Sequence, residues 1–227
     1  MTRSVKRLWQ NGGKLATNSS MHIVLLGDSI FDNKSYVGDG DDTITSLQSL
    51  MDTEKATLLA VDGSVVSGVE RQLKRVPKDA TNLVISVGGN DALGEMSILE
   101  QAVEASAEVF YELHQVGSEF EKRYVAMLNA VKRLNLPITL CTIYYPRFEH
   151  PVFQNLACSA LATFNDVIIR QAVLNNLPLI DLRLVCDEDA DYANPIEPSE
   201  QGGMKIAQRI LKVCKEHDFA KPTTVYA

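Results

Sequence analysis

The segment that decides the fold reads HIVLLGDSI and spans residues 22–30. Its apolar run over residues 22–26 is closed by Gly27 and Asp28, a pattern typical of a buried strand followed by a turn. The turn brings the hydroxyl of Ser29 to the carboxyl end of that strand. Because ligands of open α/β sheets bind at this edge, Ser29 is the first candidate functional residue.

The rest of the chain alternates strand-like and helix-like segments. Further strands are predicted over residues 57–61, 83–87, 137–145 and 177–182. Helices are predicted over residues 43–51, 68–76, 98–116, 119–134, 154–174 and 199–216, the last with Ser199 as its N-cap. Five strands alternating with helices predict an α/β fold with a parallel sheet.

Composition limits the function classes. The 227 residues are 45% hydrophobic, which suits one domain over residues 21–227 with a sizeable core. A net charge of -7 argues against a nucleic-acid partner, and no segment approaches the roughly 18 uninterrupted apolar residues of a membrane span. Residues 1–20 contain no acidic residue and no apolar periodicity, so we expect a disordered N-terminal extension.

The four cysteines are Cys141, Cys158, Cys186 and Cys214. They form no CxxC pair and do not cluster with histidines at metal-ligand spacing. Scattered thiols of this kind are typical of buried apolar positions in a reducing compartment. We therefore expect a cytoplasmic protein without a metal or another cofactor.

Three groups that follow predicted strands suit acyl transfer. A serine nucleophile needs donors aimed at the oxyanion that forms on the substrate. The N–H of Ser29 lies near a helix start, and Gly63 lets its own N–H approach closely because it has no Cβ. The side-chain amide of Asn90 adds two more donor hydrogens. Asp28 is expected to bond the backbone of its own turn, and Asp91 to cap the helix or loop beyond Asn90.

The chain resembles the GDSL/SGNH hydrolases in three blocks, Gly27-Asp28-Ser29, Gly63 and Gly88-Gly89-Asn90-Asp91. This resemblance implies a flavodoxin-like three-layer α/β/α sandwich with a five-stranded parallel sheet of order 2-1-3-4-5. It also implies hydrolysis of a small-molecule ester of a lipid, a carbohydrate or a small acyl group. Ser29 would be the nucleophile, with an oxyanion hole from the N–H groups of Ser29 and Gly63 and the side chain of Asn90.

The fourth block departs from the family pattern. Members usually carry Asp-x-x-His just before the last helix, where this chain has Asn194 and Glu197. A free glutamate has a pKa of about 4.3, against about 6.5 for histidine, but burial can raise a catalytic carboxylate to about 6–7. Glu197 is thus a candidate base, with Asn194 donating a hydrogen bond to it, or a carboxylate that caps the last helix. Of the four histidines, only His150 follows a strand at the functional edge.

Three functions remain open at this point. The first is a serine esterase or lipase-like hydrolase in which Ser29 is activated by Glu197 or His150. The second is a catalytically impaired protein that binds a ligand in the same pocket, because the usual base is replaced. The third, a flavodoxin-like nucleotide or flavin module, is disfavoured, since the loop after the first strand lacks a glycine-rich phosphate cradle and carries Asp28 and Asp32.

Overall fold

A computed structural model describes residues 20–227, and its centre is a parallel sheet of six strands in the order β2-β1-β3-β4-β5-β8. The predicted extension over residues 1–20 lies, except for Ser20, outside the described residues. The strands of this sheet are β1 His22–Gly27, β2 Lys55–Leu58, β3 Asn82–Ser86, β4 Ile138–Cys141, β5 Leu179–Ile180 and β8 Val225–Tyr226. A separate antiparallel hairpin consists of β6 Tyr192–Asn194 and β7 Glu197–Pro198.

Helices cover both faces of the sheet. They are α1 Thr43–Ser49, α2 Val69–Leu73, α3 Gly89–Leu93, α4 Ser106–Lys132, α5 Pro151–Leu174, α6 Leu182–Val185 and α7 Glu200–Glu216. The helices α4 and α5 pack on each other on one face, and α1 and α7 do so on the opposite face. The arrangement is the predicted three-layer α/β/α sandwich.

Alternation along the strands divides the apolar core into two clusters. In β1, Val24 and Leu26 face the α4–α5 side, while Ile23 and Leu25 face the α1–α7 side. All four side chains are fully buried. A strand buried on both faces reads as a continuous apolar run, so residues 22–26 contain no polar residue after His22.

The helix α4 corrects the sequence-based prediction of two helices over 98–116 and 119–134. One helix of 27 residues spans Ser106–Lys132, and Met96–Leu99 forms a separate 3-10 helix. Gly117 lies between the two predicted helices and at the contact of α4 with α5, where a Cβ on it would approach Thr163 Cγ2 to 2.5 Å. The glycine therefore permits close helix packing inside a continuous helix.

The sheet contains one strand more than the predicted order. The short segment Val225–Tyr226 follows α7 and pairs in parallel with β5 at the sheet edge. The first five strands have the predicted order 2-1-3-4-5, although β4 and β5 are shorter than the apolar patterns that predicted them.

The helix α5 is long and apolar enough to cross a membrane by length and composition, with a mean hydropathy of 1.3 over its most apolar window. Core helices can pass the same test, so this is weak evidence for a span. One face of α5 packs into the core through residues that include Leu161, Phe164 and Ile168.

Candidate active site

Two glycines turn the chain out of neighbouring strands of the sheet. Gly27 has a φ of 127°, and a Cβ on it would lie 1.7 Å from the carbonyl oxygen of Ser86. Gly88, after β3, has a φ of 126°, and a Cβ on it would lie 3.0 Å from Phe120 Cζ. Only glycine fits such positions, and the two turns place the residues that follow them side by side above the sheet.

Asp28 occupies the turn between Gly27 and Ser29 and is buried. Its Oδ1 accepts a hydrogen bond from the N–H of Ile30 at 3.2 Å, which is the predicted role of a turn residue. Burial, opposed by the hydrogen bond from Ile30 and assisted by the nearby carboxyls of Glu197 and Asp91, raises the pKa of its carboxyl to about 8. Asp28 is consequently neutral at pH 7.

Ser29 donates its Oγ hydrogen to Glu197 Oε1 over 3.0 Å. The two residues are 168 positions apart in sequence and both are buried. The hairpin β6–β7 brings Glu197 to Ser29, because β7 begins at that residue. The structure thus joins the candidate nucleophile and candidate base in direct contact. Ser199, and not Glu197, caps α7, with its Oγ accepting from the N–H of Gly202 at 3.2 Å.

Burial decides the acidity of Glu197. Burial, opposed by the hydrogen bond from Ser29 and assisted by the charge of Asp62, raises its pKa from 4.5 to about 7. The second oxygen, Oε2, is buried and has no hydrogen-bond partner in the part of the chain that the structure describes. A carboxylate with few stabilising hydrogen bonds in a buried site becomes a stronger base, which is what proton transfer from a serine at neutral pH needs.

Asn194 positions Glu197 in a way that differs from the prediction. Its Oδ1 accepts hydrogen bonds from the N–H groups of Ile196 and Glu197, each at 3.0 Å. The amide therefore does not donate to the Glu197 carboxylate; it shapes the turn between β6 and β7. On the other side, the hydroxyl of Tyr144 donates to the carbonyl of Ile196 at 2.7 Å. Together these bonds hold the turn that presents Glu197.

Of the three predicted oxyanion donors, Ser29 and Gly63 lie in loops and Asn90 lies in α3. The Asn90 side-chain N–H₂ donates one hydrogen to the carbonyl of Ser64 at 3.1 Å, which leaves its second hydrogen for another acceptor. Gly63 has a φ of 72°, a left-handed conformation that suits glycine. Within residues 20–227, the backbone N–H groups of Ser29 and Gly63 donate to no protein acceptor.

Two side chains hold these loops in ways that the sequence did not predict: Gln72 was not a candidate, and Asp91 was expected to bond only nearby backbone. The Gln72 amide bonds both the N–H and the carbonyl of Gly27, each at 2.8 Å. Asp91 accepts from the N–H of Val66 at 2.9 Å and lies 3.6 Å from the Arg123 guanidinium. Burial raises the pKa of Asp91, and these two contacts lower it. Neither role leaves a local sequence signal, because each bond connects separate elements.

His150 is not joined to Ser29. It is exposed, and its Nδ1 accepts from the N–H of Phe153 at 3.3 Å, which makes it the N-cap of α5. Pro151 at the first helical position completes this helix start. The alternative in which His150 serves as the base therefore has no contact to support it.

An apolar cavity opens beside Ser29 and Glu197. Asp28, Ser29, Asn90 and Glu197 line its polar end. The rest of its wall comes mainly from apolar side chains of α3, α4, α5 and the 3-10 helix Met96–Leu99. This shape allows an ester to reach Ser29 with an apolar group next to it.

Among residues 20–227, no group of three or more His, Cys, Asp or Glu side chains could hold an ion. The four cysteines, all within this range, form no disulfide.

Comparison with known proteins agrees with the fold. No curated protein matches the sequence. The lipase Lip_vut3 from a goat rumen metagenome superposes with a TM-score of 0.67 at 19% identity, covering 88% of this chain and 100% of that chain. The acetyl xylan esterase AlAXEase superposes with a TM-score of 0.63 at 19% identity, covering 85% of this chain and 99% of that chain. An extracellular lipase from Streptomyces rimosus superposes with a TM-score of 0.63 at 14% identity, also covering 85% of this chain and 99% of that chain. At these identities the likeness shows the fold alone.

The sequence itself carries the family assignment. The profile of the GDSL-like lipase/acylhydrolase family matches residues 25–203. That match begins in β1, which delivers Ser29, and ends in α7, directly after the hairpin that delivers Glu197. The chain accordingly belongs to the GDSL-like lipase/acylhydrolase family.

Proposed function

We propose that the protein is a serine hydrolase that cleaves a small-molecule ester, with Ser29 as nucleophile and Glu197 as general base. The observation that carries this proposal is the 3.0 Å hydrogen bond from Ser29 Oγ to Glu197 Oε1. Family membership supports a hydrolase of the esterase and lipase type. The pair itself is the feature that distinguishes this chain from members with a histidine base.

The first half of the reaction forms an acyl-enzyme. Ser29 Oγ attacks the ester carbonyl carbon while Glu197 takes the hydroxyl proton. The carbonyl oxygen becomes an oxyanion, which the N–H groups of Ser29 and Gly63 and the Asn90 amide stabilise. The intermediate collapses when the C–O bond to the alcohol breaks, and the proton on Glu197 passes to the leaving oxygen. The alcohol departs and the acyl group stays on Ser29.

The second half returns the free enzyme. Glu197, again ionised, takes a proton from a water molecule that attacks the acyl carbon. The same three donors stabilise the second oxyanion. When the bond to Ser29 Oγ breaks, Glu197 returns the proton to that oxygen and the carboxylic acid leaves. A single base with a pKa of about 7 can both accept and return the proton near neutral pH.

The neutral Asp28 fits this scheme. A second ionised carboxylate beside Glu197 would repel the oxyanion and raise the pKa of Glu197 beyond the useful range. Burial keeps Asp28 mainly protonated below its pKa of about 8, so Glu197, with a pKa of about 7, is the first of the two carboxyls to ionise.

A ligand-binding protein without turnover remains the second candidate. It is favoured by one observation, the replacement of the usual Asp and His by Asn194 and Glu197. The double variant Asn194→Asp with Glu197→His separates the two functions. A silent wild type that gains esterase activity in the double variant supports the binding protein. An active wild type that Glu197→Gln inactivates supports the hydrolase.

The direct test of the hydrolase uses a short-chain aryl ester and a fluorophosphonate probe. We expect turnover by the wild type and covalent labelling of Ser29, and loss of both in Ser29→Ala. Equal turnover by the two proteins, with no label on Ser29, would refute the proposal. We also propose a cytoplasmic location, on the ground that all four cysteines are free thiols.

A further inference from the structure

The wall of the cavity beside Ser29 is formed in large part by one face of α5. The residues on this face are Ala157, Ala160, Leu161 and Phe164, spaced so that they lie on the same side of the helix. Two of the four are alanines, the smallest side chains that a helix readily carries. Any larger residue at these two positions would project into the cavity, so their small size keeps it open.

A second wall is also apolar, apart from Glu95. It contains Ala92 and Leu93 of α3, Met96 and Leu99 of the 3-10 helix, and Leu113 of α4. Apolar walls on both sides exclude water from a bound chain and give no hydrogen bonds to a hydroxyl-rich group. A sugar ring would leave its hydroxyls without hydrogen-bond partners there, and burying unpaired hydroxyls disfavours binding.

The charges on the lining side chains have a single sign. The lining carboxyls are Glu95, Glu197 and the protonated Asp28, and the lining contains no lysine, arginine or histidine. An anionic acyl group such as a succinyl group, or a phosphate, would meet no cation and would be repelled. The chemistry of the lining therefore selects an uncharged, apolar group.

The position of the walls indicates which part of the ester they hold. The leaving alcohol must face Glu197 in order to receive its proton. The apolar lining residues Ile143, Pro146, Phe148 and Ile196 come from the segment after β4 and from the turn before Glu197. The two walls described above belong instead mainly to α3 and the 3-10 helix, which follow directly on the oxyanion donor Asn90, and to α5, which packs against that 3-10 helix. The group seated against these walls is thus the substituent on the acyl side of the carbonyl.

We propose that this cavity binds the uncharged, apolar acyl chain of the ester, and that Ala160 limits the length of chain that fits. The inference rests on the proposed hydrolase function and names its substrate class. It places medium-chain apolar esters ahead of acetyl esters and of esters of charged acids.

The first experiment varies the two sides of the ester separately. With one aryl leaving group, we expect kcat/KM to rise about fourfold for each added methylene from acetate towards octanoate until the cavity is filled, as expected for burial of one methylene. With acetate fixed and the alkyl alcohol lengthened, we expect a much smaller slope. A flat acyl series, or an alcohol series with the steeper slope, overturns the proposal.

The second experiment uses a matched pair of substitutions on one helix. Ala160→Phe fills the cavity, and we expect the ratio of kcat/KM for octanoate to that for acetate to fall at least tenfold. Ala162→Phe introduces the same side chain at an exposed position of α5, and we expect the wild-type ratio. Equal ratios in the two variants contradict a role of Ala160.

A further variant covers the case in which Ala160→Phe does not fold, as judged by circular dichroism. Leu113→Ala, on the second wall, enlarges the cavity, so we expect the preferred acyl chain to lengthen by one or more methylenes. An unchanged optimum in this variant contradicts the proposal.

Binding separates failure of this inference from failure of the hydrolase. If no ester is turned over and Ser29 is not labelled, the hydrolase is refuted. The cavity is then tested in Ser29→Ala by calorimetry with methyl heptyl ketone and acetone. Tighter binding of the long ketone, lost in Ala160→Phe, supports the apolar site, and equal binding of the two ketones refutes it.

Discussion

Replacing Glu197 with glutamine separates the base from the hydrogen bond. Glutamine has nearly the same size and can still bond the Ser29 hydroxyl, which lies 3.0 Å from Glu197 Oε1. It cannot accept a proton at neutral pH. General-base catalysis contributes about 10²- to 10⁴-fold, so we expect kcat to fall by that factor with little change in KM.

The same substitution should stabilise the fold. The pKa of Glu197 rises from 4.5 to about 7 in the folded protein, which corresponds to about 3 kcal/mol at 1.36 kcal/mol for each pKa unit. Because the folded state binds this proton more tightly than the unfolded state, the wild type loses that stability as pH rises from about 4.5 through 7. Glutamine never ionises, so Glu197→Gln should be the more stable protein above pH 7.

Urea unfolding and ester hydrolysis measure the two effects on the same samples. We expect the free energy of unfolding of Glu197→Gln to exceed that of the wild type by about 3 kcal/mol at pH 8 and by little at pH 4.5. Glu104→Gln, an exposed change outside the site, is the control and should alter neither quantity. A Glu197→Gln variant that is less stable than the wild type at both pH values, with full activity, would refute the assignment of Glu197 as a buried base.

Three further substitutions test the surrounding site. Asn90→Ala should lower kcat by about 10²- to 10³-fold through loss of an oxyanion donor, and steady-state kinetics with wild-type kcat would contradict this role. Gly27→Ala should lower the free energy of unfolding by at least about 3 kcal/mol in urea titrations, since a Cβ would lie 1.7 Å from the Ser86 carbonyl oxygen. A loss of less than about 1 kcal/mol would show that the turn tolerates a side chain. Asp28→Asn should leave kcat at pH 7 nearly unchanged and should stabilise the fold above the pKa of about 8, and a large loss of kcat at pH 7 would show that Asp28 acts as an anion.

Much of the fold could be predicted because local pattern and global fold agree. The residues after His22 are all apolar because β1 is buried on both faces of the sheet. The run ends in Gly27 because only glycine fits the turn that follows. The break predicted between residues 116 and 119 was wrong, because α4 is continuous there. The sequence around Gly117 does not show whether a glycine ends a helix or permits close packing within it. The two-residue strand Val225–Tyr226 is too short to show a period.

The structure places the candidate residues Ser29, Asn90 and Glu197 on one cavity, and their catalytic roles stay predictions. Strand ends identified Ser29, Gly63 and Asn90, since parallel strands bring their carboxyl ends to one edge. The Ser29–Glu197 bond spans 168 residues, and the bonds from Gln72 to Gly27 span 45, so no local rule could predict either. The Asn194 amide accepts where donation was expected, because the backbone N–H groups of its own turn are its nearest partners.

The rate at which a fluorophosphonate labels Ser29, measured from pH 5 to pH 9, tests the central claim most directly, because it needs no knowledge of the substrate. We expect the rate to rise about tenfold for each pH unit below the Glu197 pKa of about 7, to level off above it, and to lose this dependence in Glu197→Gln. No labelling of Ser29, or a rate in Glu197→Gln that follows the wild-type profile, would contradict a Ser29–Glu197 pair as the reactive centre.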